Sequence, residues 1–196
     1  LHKKNILFLF SDTGGGHRSA AEAIIEAIKE LYGTEIHSEM VDIFRDYAPL
    51  PINRLPKIYP ALVRAPHAWG MGFNLSDGKR RTRAISTGSW PVIRAYYKKM
   101  ISDHPADIIV AVHPLGVTPT LRALGRNHPP LITVVTDLVT THAFWYHKNT
   151  HLCIVPTEEA RLRAHEHPQG AILQRKDHGF HRTVVASVVI REAWRH

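Results

Sequence analysis

Residues 5–24 read NILFLFSDTGGGHRSAAEAI, and this stretch decides the fold. The apolar run Asn5 to Phe10 suits a short buried strand, and the glycines after it suit a tight turn. Apolar residues then recur at helical spacing up to Gly33, which offers a stop. A strand, a glycine-rich turn and an amphipathic helix are the first half of a βα unit with parallel strands.

The same alternation continues along the chain. EIHSEMVDIF, DIIVAV, LITVVT and LCIV read as further strands, and helical patterns lie between several of them. The sequence therefore predicts an α/β fold with a doubly wound parallel sheet of five strands. Residues 48–60 are rich in proline and 66–79 carry three glycines, so we expect irregular chain with short helical pieces there.

The glycines precede a helix, where free backbone N–H groups attract an anion or a polarised oxygen. GGGH lacks the spacing of a dinucleotide fingerprint and the GK[ST] of a P-loop, so neither NAD nor ATP is indicated. His17 stands in the first helical turn, where the helix dipole favours a neutral imidazole that can take a proton from an alcohol. Two plainer interpretations stay open: glycines that only make a turn, and a histidine that only bonds its own loop.

The segment THAFWYHK carries two histidines and three adjacent aromatic residues. His142 and His147 are five residues apart and no Cys or Glu completes a ligand set, so a metal site is not indicated. Three consecutive aromatic side chains cannot all face a core. We expect one ring of the group Phe144, Trp145 and Tyr146 to meet a ligand or a lipid interface, with packing under a loop as the alternative for Phe144.

The chain has 196 residues, 44% hydrophobic content, one cysteine and a formal net charge of +8. No 18 apolar residues run together, so no membrane span is expected, and a single cysteine excludes an internal disulfide framework. Residues 54–99 hold ten Lys or Arg and one acidic residue, a net charge of +9. Such a segment favours anionic partners, although a solvated face remains possible for each residue, and no nucleic-acid-binding motif is present.

Several motifs together resemble a known family. SDTGGGHRSAAEAI, INRLPKIY, DIIVAVHPL, TDLVTTHAFWYHK and VPTEEARLRA, in this order over residues 5–164, are similar to monogalactosyldiacylglycerol synthases and bacterial processive diacylglycerol glucosyltransferases. These are glycosyltransferases of the GT-B type. The resemblance implies that residues 1–164 are the N-terminal, Rossmann-like acceptor and membrane domain, and that a second domain binds the UDP-sugar.

The resemblance also implies roles for single residues. His17 would be the base that deprotonates the diacylglycerol hydroxyl, and Lys79, Arg80, Arg81 and Arg83 would dock on the membrane. Acceptor or anionic-lipid binding would involve Gly14, Gly15, Gly16, Pro51, His142 and Trp145. No metal or other cofactor is implied, and the donor substrate would be UDP-glucose or UDP-galactose.

We therefore expect transfer of a hexose to diacylglycerol by a peripheral membrane protein on the cytoplasmic face, with no nucleic-acid partner. Residues 165–196 do not resemble the family, and we expect a divergent tail, disordered or read in another frame, with this chain alone inactive. Two alternatives stay open: a non-catalytic module that binds anionic lipids, and a lipid-linked GlcNAc transferase of cell-wall synthesis. The TDLVTTHAFWYHK segment argues against the second.

Overall fold

A computed structural model describes residues 3–13, 16–64, 66–126, 128–138, 140–166 and 182–185. Its strands form one parallel sheet in the order β2-β1-β3-β4-β5-β6. Their bounds are β1 Lys4–Phe10, β2 Ile36–Asp42, β3 Ile108–Ala111, β4 Leu131–Val134, β5 Leu152–Val155 and β6 Arg182–Val185. The predicted α/β parallel sheet is confirmed, and β6 adds a sixth strand from the tail, where no strand was predicted.

The helices cover both faces of this sheet. They are α1 Gly16–Tyr32, α2 Leu55–Val63, α3 Pro66–Ser76, α4 Lys79–Asp103, α5 Thr118–Leu124 and α6 Glu158–Glu166, with 3-10 turns at Ile52–Arg54, Pro114–Gly116 and Ala143–Trp145. The predicted stop at Gly33 is confirmed, since α1 ends at Tyr32. The Thr157 hydroxyl caps the N-terminus of α6 by accepting the N–H of Ala160 at 3.1 Å.

The short helical pieces expected between residues 48 and 79 are confirmed as α2 and α3, but these two helices fill most of the segment, so the chain there is less irregular than its prolines and glycines indicate. Pro56 and Pro66 occupy the second and first positions of these helices, where a missing N–H breaks no intrahelical bond. Gly70 and Gly72 lie inside α3, which glycine permits at a cost of about 1 kcal/mol each relative to alanine.

The core lies on the two faces of β1, whose residues Ile6 to Phe10 are all buried. Leu7 and Leu9 pack on the face covered by α4 and α5, and Phe8 and Phe10 pack on the face covered by α1. A strand buried on both faces is typical of a doubly wound sheet, which explains the continuous apolar run in its sequence.

The position of the site follows from the strand order. β1 lies between β2 and β3, so the chain leaves β1 on one side of the sheet for α1 and β2, and the later strands extend on the other side. Doubly wound sheets bind ligands at this switch point, beyond the carboxyl ends of the strands. The residues that follow Phe10 and Ala111 therefore meet at one edge.

Candidate functional site

His17 lies at this edge, in the first turn of α1. Its Nδ1 is 2.9 Å from the Thr136 hydroxyl, which follows β4. Its ring centroid is 4.6 Å from that of His113, which follows β3, and 6.0 Å from that of Trp145. The segments after β3 and β4 therefore each contribute a side chain that contacts the ring of His17, which itself follows β1 in the chain.

The electrostatics of His17 favour the neutral ring at neutral pH. Burial lowers the pKa of His17 below its ordinary value, while the charge of Asp137 and a hydrogen bond with the Val112 backbone raise it. Burial is the largest of these effects, so the neutral imidazole that the helix dipole predicted has a second and stronger physical cause.

His113 is a residue that sequence reasoning missed. It is 5% exposed, its Nδ1 accepts the N–H of Leu115 at 3.2 Å, and its Nε2 lies 3.0 Å from the Thr13 hydroxyl. Since a backbone N–H can only donate, Nδ1 is the acceptor, and Nε2 carries the proton that it donates to Thr13. Burial, with the nearby His17, lowers the pKa of His113 well below its ordinary value. The signal was a histidine directly after the buried strand of DIIVAVHPL.

Trp145 does not present its ring to solvent or to a lipid surface, which corrects the expectation of a direct lipid contact. The side chain is fully buried, and its Nε1–H donates to a carboxylate oxygen of Asp137 at 2.6 Å. The half-buried ring of this aromatic group is Phe144, while Tyr146 is buried. Trp145 thus anchors Asp137, the carboxylate whose charge raises the pKa of His17.

His142 is 9% exposed and is held by three groups. Its Nδ1 accepts the N–H of Phe144 at 3.1 Å, and its Nε2 lies 3.1 Å from the Ser76 hydroxyl at the end of α3. Its ring stacks on Phe144 with centroids 4.8 Å apart and meets Phe73 edge-on at 5.0 Å. The structure therefore brings His142 and His17 to the walls of one cavity.

This cavity, the acceptor cavity, has a volume of about 820 Å³. It lies between the carboxyl edge of the sheet and helices α2 and α3. Its polar walls include Thr13, His17, His113, Asp137 and His142, and its apolar walls include Phe44, Leu55, Phe73, Leu115 and Phe144. A largely apolar wall that carries a few polar groups suits a ligand with one reactive polar group and a large apolar part.

Of the other residues predicted to bind the acceptor, Gly16 and Pro51 are not wall residues of this cavity. Gly16 is exposed at the start of α1, and no described heavy atom lies within 4 Å of where its Cβ would stand. Gly14 and Gly15 lie outside the described residues. Pro51 is exposed, precedes the 3-10 turn Ile52–Arg54 and follows a cis peptide bond, and it is not a wall residue of the cavity.

The basic cluster Lys79, Arg80, Arg81 and Arg83 is exposed in the first two turns of α4. Arg81 donates to the backbone oxygen of Asn74 at 2.7 Å. Cations at a helix N-terminus are opposed by the helix dipole, so the cluster does not stabilise α4.

The described residues contain neither a candidate metal-binding group nor a candidate membrane-spanning helix. They include no group of three or more His, Cys, Asp or Glu side chains placed to hold a metal ion. None of the helices within these residues is both long enough and apolar enough to span a bilayer.

Comparison with known proteins identifies the family. The family model for monogalactosyldiacylglycerol (MGDG) synthase matches residues 17–170. The chain belongs to the MGDG synthase family. Its curated relatives include a probable MGDG synthase, chloroplastic, of Nicotiana tabacum, 37% identical over 168 residues, and MGDG synthase 2, chloroplastic, of Arabidopsis thaliana, 33% identical over 169 residues.

The MGDG synthase, chloroplastic, of Spinacia oleracea is 36% identical over 165 residues. Each of these alignments covers 82% of this chain, but only 31%, 35% and 32% of the tobacco, Arabidopsis and spinach proteins. The chain thus spans about a third of the length of the MGDG synthases that it matches. The resemblance noted from the motifs is confirmed, and the family match extends a few residues past 164.

Proposed function

We propose that this chain supplies the acceptor-binding, membrane-associating domain of a glycosyltransferase that transfers a hexose from UDP-glucose or UDP-galactose to diacylglycerol. One observation carries the proposal: the half-buried His17, neutral through burial, opens on a largely apolar cavity in a chain of the MGDG synthase family. The names of the relatives describe the synthesis of a galactosylated diacylglycerol, so glycolipid synthesis is the function to test.

His17 would act as the general base. When one ring nitrogen of the neutral imidazole carries a proton and bonds Thr136 or Val112, the other has a lone pair for the proton of the acceptor hydroxyl. The alcohol oxygen then forms a bond with the anomeric carbon of the sugar, and the bond from that carbon to UDP breaks. The negative charge of Asp137 stabilises the imidazolium that results, because it raises the pKa of His17.

The donor sugar would be held by a second domain, as the family resemblance implies. Residues 1–164 would form the acceptor domain. Residues 165–196 were expected to be a divergent tail, and β6 lies within them. We propose no role for the rest of this segment.

Membrane association would be peripheral and would depend on the basic cluster. Each Lys or Arg near an anionic surface contributes about 1 kcal/mol of attraction. Met71 and Leu75 lie one helical turn apart on the neighbouring α3 and are 63% and 65% exposed, so apolar side chains are available beside the cations. The membrane face on which the protein acts stays a prediction.

The decisive experiment places this domain in a complete enzyme. Residues 5–164 replace the matching segment of the spinach relative, and transfer to dioleoylglycerol is measured with UDP-galactose and with UDP-glucose. We expect His17→Ala to lower kcat by about 10²–10⁴-fold, the usual contribution of a general base. The matched control is His37→Ala, which removes an exposed ring on β2. Full turnover by His17→Ala would overturn the base assignment.

The same assay on this chain alone separates catalysis from binding. Glycolipid formed from a UDP-hexose and diacylglycerol would exclude a pure lipid-binding module. If this chain binds diacylglycerol and the fused enzyme never turns over, the non-catalytic module is the better description.

A further inference from the structure

A second pocket, of about 230 Å³, lies beside the acceptor cavity. Its wall is formed by the segment between β2 and the start of α2, by α4, by the turn after β3, by the start of α5 and by Phe144. Its walls include Ile43, Ile52, Ile85, Ile93, Tyr97 and Leu115. We call it the apolar pocket, because its wall contains no charged side chain.

The polar atoms of its two tyrosines are already paired. The Tyr97 hydroxyl donates to the backbone oxygen of Leu115 at 2.9 Å, and the Tyr47 hydroxyl donates to Asp103 at 2.7 Å. The remaining polar side chains in the wall are those of Ser86 and Ser89 on α4. A polar ligand would therefore lose its hydrogen bonds to water and find few replacements here.

The size of the pocket indicates an occupant. Protein interiors pack densely, and voids larger than a water molecule are few. An engineered apolar cavity of about 150 Å³ stays dry and binds benzene. An apolar pocket of about 230 Å³ is larger than that and suits a hydrocarbon group.

The apolar pocket adjoins the acceptor cavity. Phe44, Leu55, Leu115 and Phe144 line both spaces, so the two are separated by side chains and not by backbone layers. His17 lines the first space and not the second. A hydrocarbon chain that extends from a hydroxyl at His17 would therefore meet the apolar pocket on the other side of these four shared side chains.

We propose that the apolar pocket holds one acyl chain of the lipid acceptor and thereby sets which chain lengths fit. This inference rests on the proposed function, because it requires an acceptor hydroxyl at His17. It adds a specificity element formed by Ile52, Ile85 and Ile93, on the segment before α2 and on α4.

The test uses this chain with ¹³C-labelled isoleucine methyl groups and labelled histidine rings. The probes are 1,2-dioctanoylglycerol and diacetin, which have a glycerol hydroxyl in common but differ in chain length. We expect nuclear Overhauser contacts from the octanoyl chain to the methyl groups of Ile43, Ile52, Ile85 and Ile93. The methyl groups of Ile24, Ile25 and Ile28, which pack on the opposite face of the sheet, should show none.

Two variants fill the pocket. Ile93→Trp and Ile85→Trp should each weaken binding of dioctanoylglycerol at least tenfold, because several methylene groups lose their burial. Ile85 is 43% exposed at the rim, so its enlargement leaves the core intact if Ile93→Trp fails to fold. Val92→Trp is the matched control, since Val92 neighbours Ile93 on α4, is 57% exposed and is not a wall residue.

The outcomes separate this inference from the proposed function. The His17 ring signals should shift with both probes, and that response tests the proposed function by itself. If the His17 signals shift and the octanoyl chain contacts only residues of the acceptor cavity, the apolar-pocket inference is overturned and the proposed function stands. Contacts at the pocket without a response of His17 would overturn the link to the acceptor, and the absence of any binding would overturn both proposals.

Discussion

At the scale of single residues, the Asp137 carboxylate controls how readily His17 takes a proton. Its charge raises the pKa of His17, against the larger effect of burial. We predict that Asp137→Asn lowers the pKa of His17 further, because the favourable charge is lost and burial remains. The measurement is an NMR titration of the histidine ring signals in this chain.

Asp46→Asn is the control for that titration, since Asp46 bonds Arg45 and is not a wall residue of the acceptor cavity. An unchanged pKa of His17 in Asp137→Asn would show that the carboxylate does not act on the ring. The fused enzyme carrying Asp137→Asn should then also keep its activity.

Trp145 gives a prediction about stability. The ring is fully buried, so Trp145→Ala should lower the free energy of unfolding by about 3–5 kcal/mol. Trp145→Phe keeps most of the packing and loses the bond to Asp137, so we expect a smaller loss of stability and unchanged binding to acidic vesicles. Urea denaturation and vesicle sedimentation check both. Weaker vesicle binding by folded Trp145→Phe would restore the lipid contact that the sequence suggested.

The two histidines of the site show what the sequence could reveal about residues. His17 was found because the glycines and the helix start stand beside it in the chain. His113 was missed because its partner Thr13 lies 100 residues away, and only the pairing of β1 with β3 brings the two together.

At the scale of elements, the basic cluster opens α4, while Arg94 and Lys98 are exposed farther along the same helix. We predict that Arg80→Gln/Arg83→Gln weakens binding to phosphatidylglycerol vesicles by about tenfold or more, because each cation near the surface contributes about 1 kcal/mol. The matched control is Arg94→Gln/Lys98→Gln, which removes the same charge. Vesicle sedimentation at low salt compares the two, and an equal loss would show that only net charge matters.

The elements also show the limit of sequence patterns. The strands were predicted because each is a short apolar run that leads into or follows a turn. The extent of the helices α2 and α3 was underestimated, because proline and glycine usually end helices, whereas here Pro56 and Pro66 stand in the first turns and Pro60 lies within α2. That error matters for function, because Leu55, Tyr59 and Phe73 from these two helices line the acceptor cavity.

At the scale of the whole molecule, the fold class was predictable and the cavity was not. Alternating strands and helices allow few arrangements, and a doubly wound sheet places its site at the strand ends. The cavity needs side chains as far apart in sequence as Thr13 and Phe144. No local pattern indicates which of these side chains meet. His17 and His142 are therefore the only wall residues that the sequence predicted as catalytic or binding residues.

The buried histidines also make the stability of the whole protein depend on pH. Burial lowers the pKa of His17 and of His113, and it lowers the pKa of His147 to about 4, with Lys148 and Arg122 adding to the effect. Below pH 6.5 the unfolded chain takes up protons that the folded protein does not, so stability falls as the pH falls. Each such histidine contributes at most about 1.4 kcal/mol per pH unit, less where the ring is half-exposed.

We predict a decrease in the free energy of unfolding between pH 7 and pH 5, measured by urea denaturation. His147→Asn should reduce this slope by up to one proton, because it removes a ring that takes up a proton only on unfolding. The fold should be kept, since the asparagine oxygen can still accept the N–H of Asn149 that Nδ1 accepts at 3.2 Å. His37→Asn, which removes an exposed ring, controls for the loss of one histidine. A slope that His147→Asn leaves unchanged would show that this ring is protonated in the folded protein too. The surroundings of His147 would then tolerate a further positive charge beside those of Lys148 and Arg122.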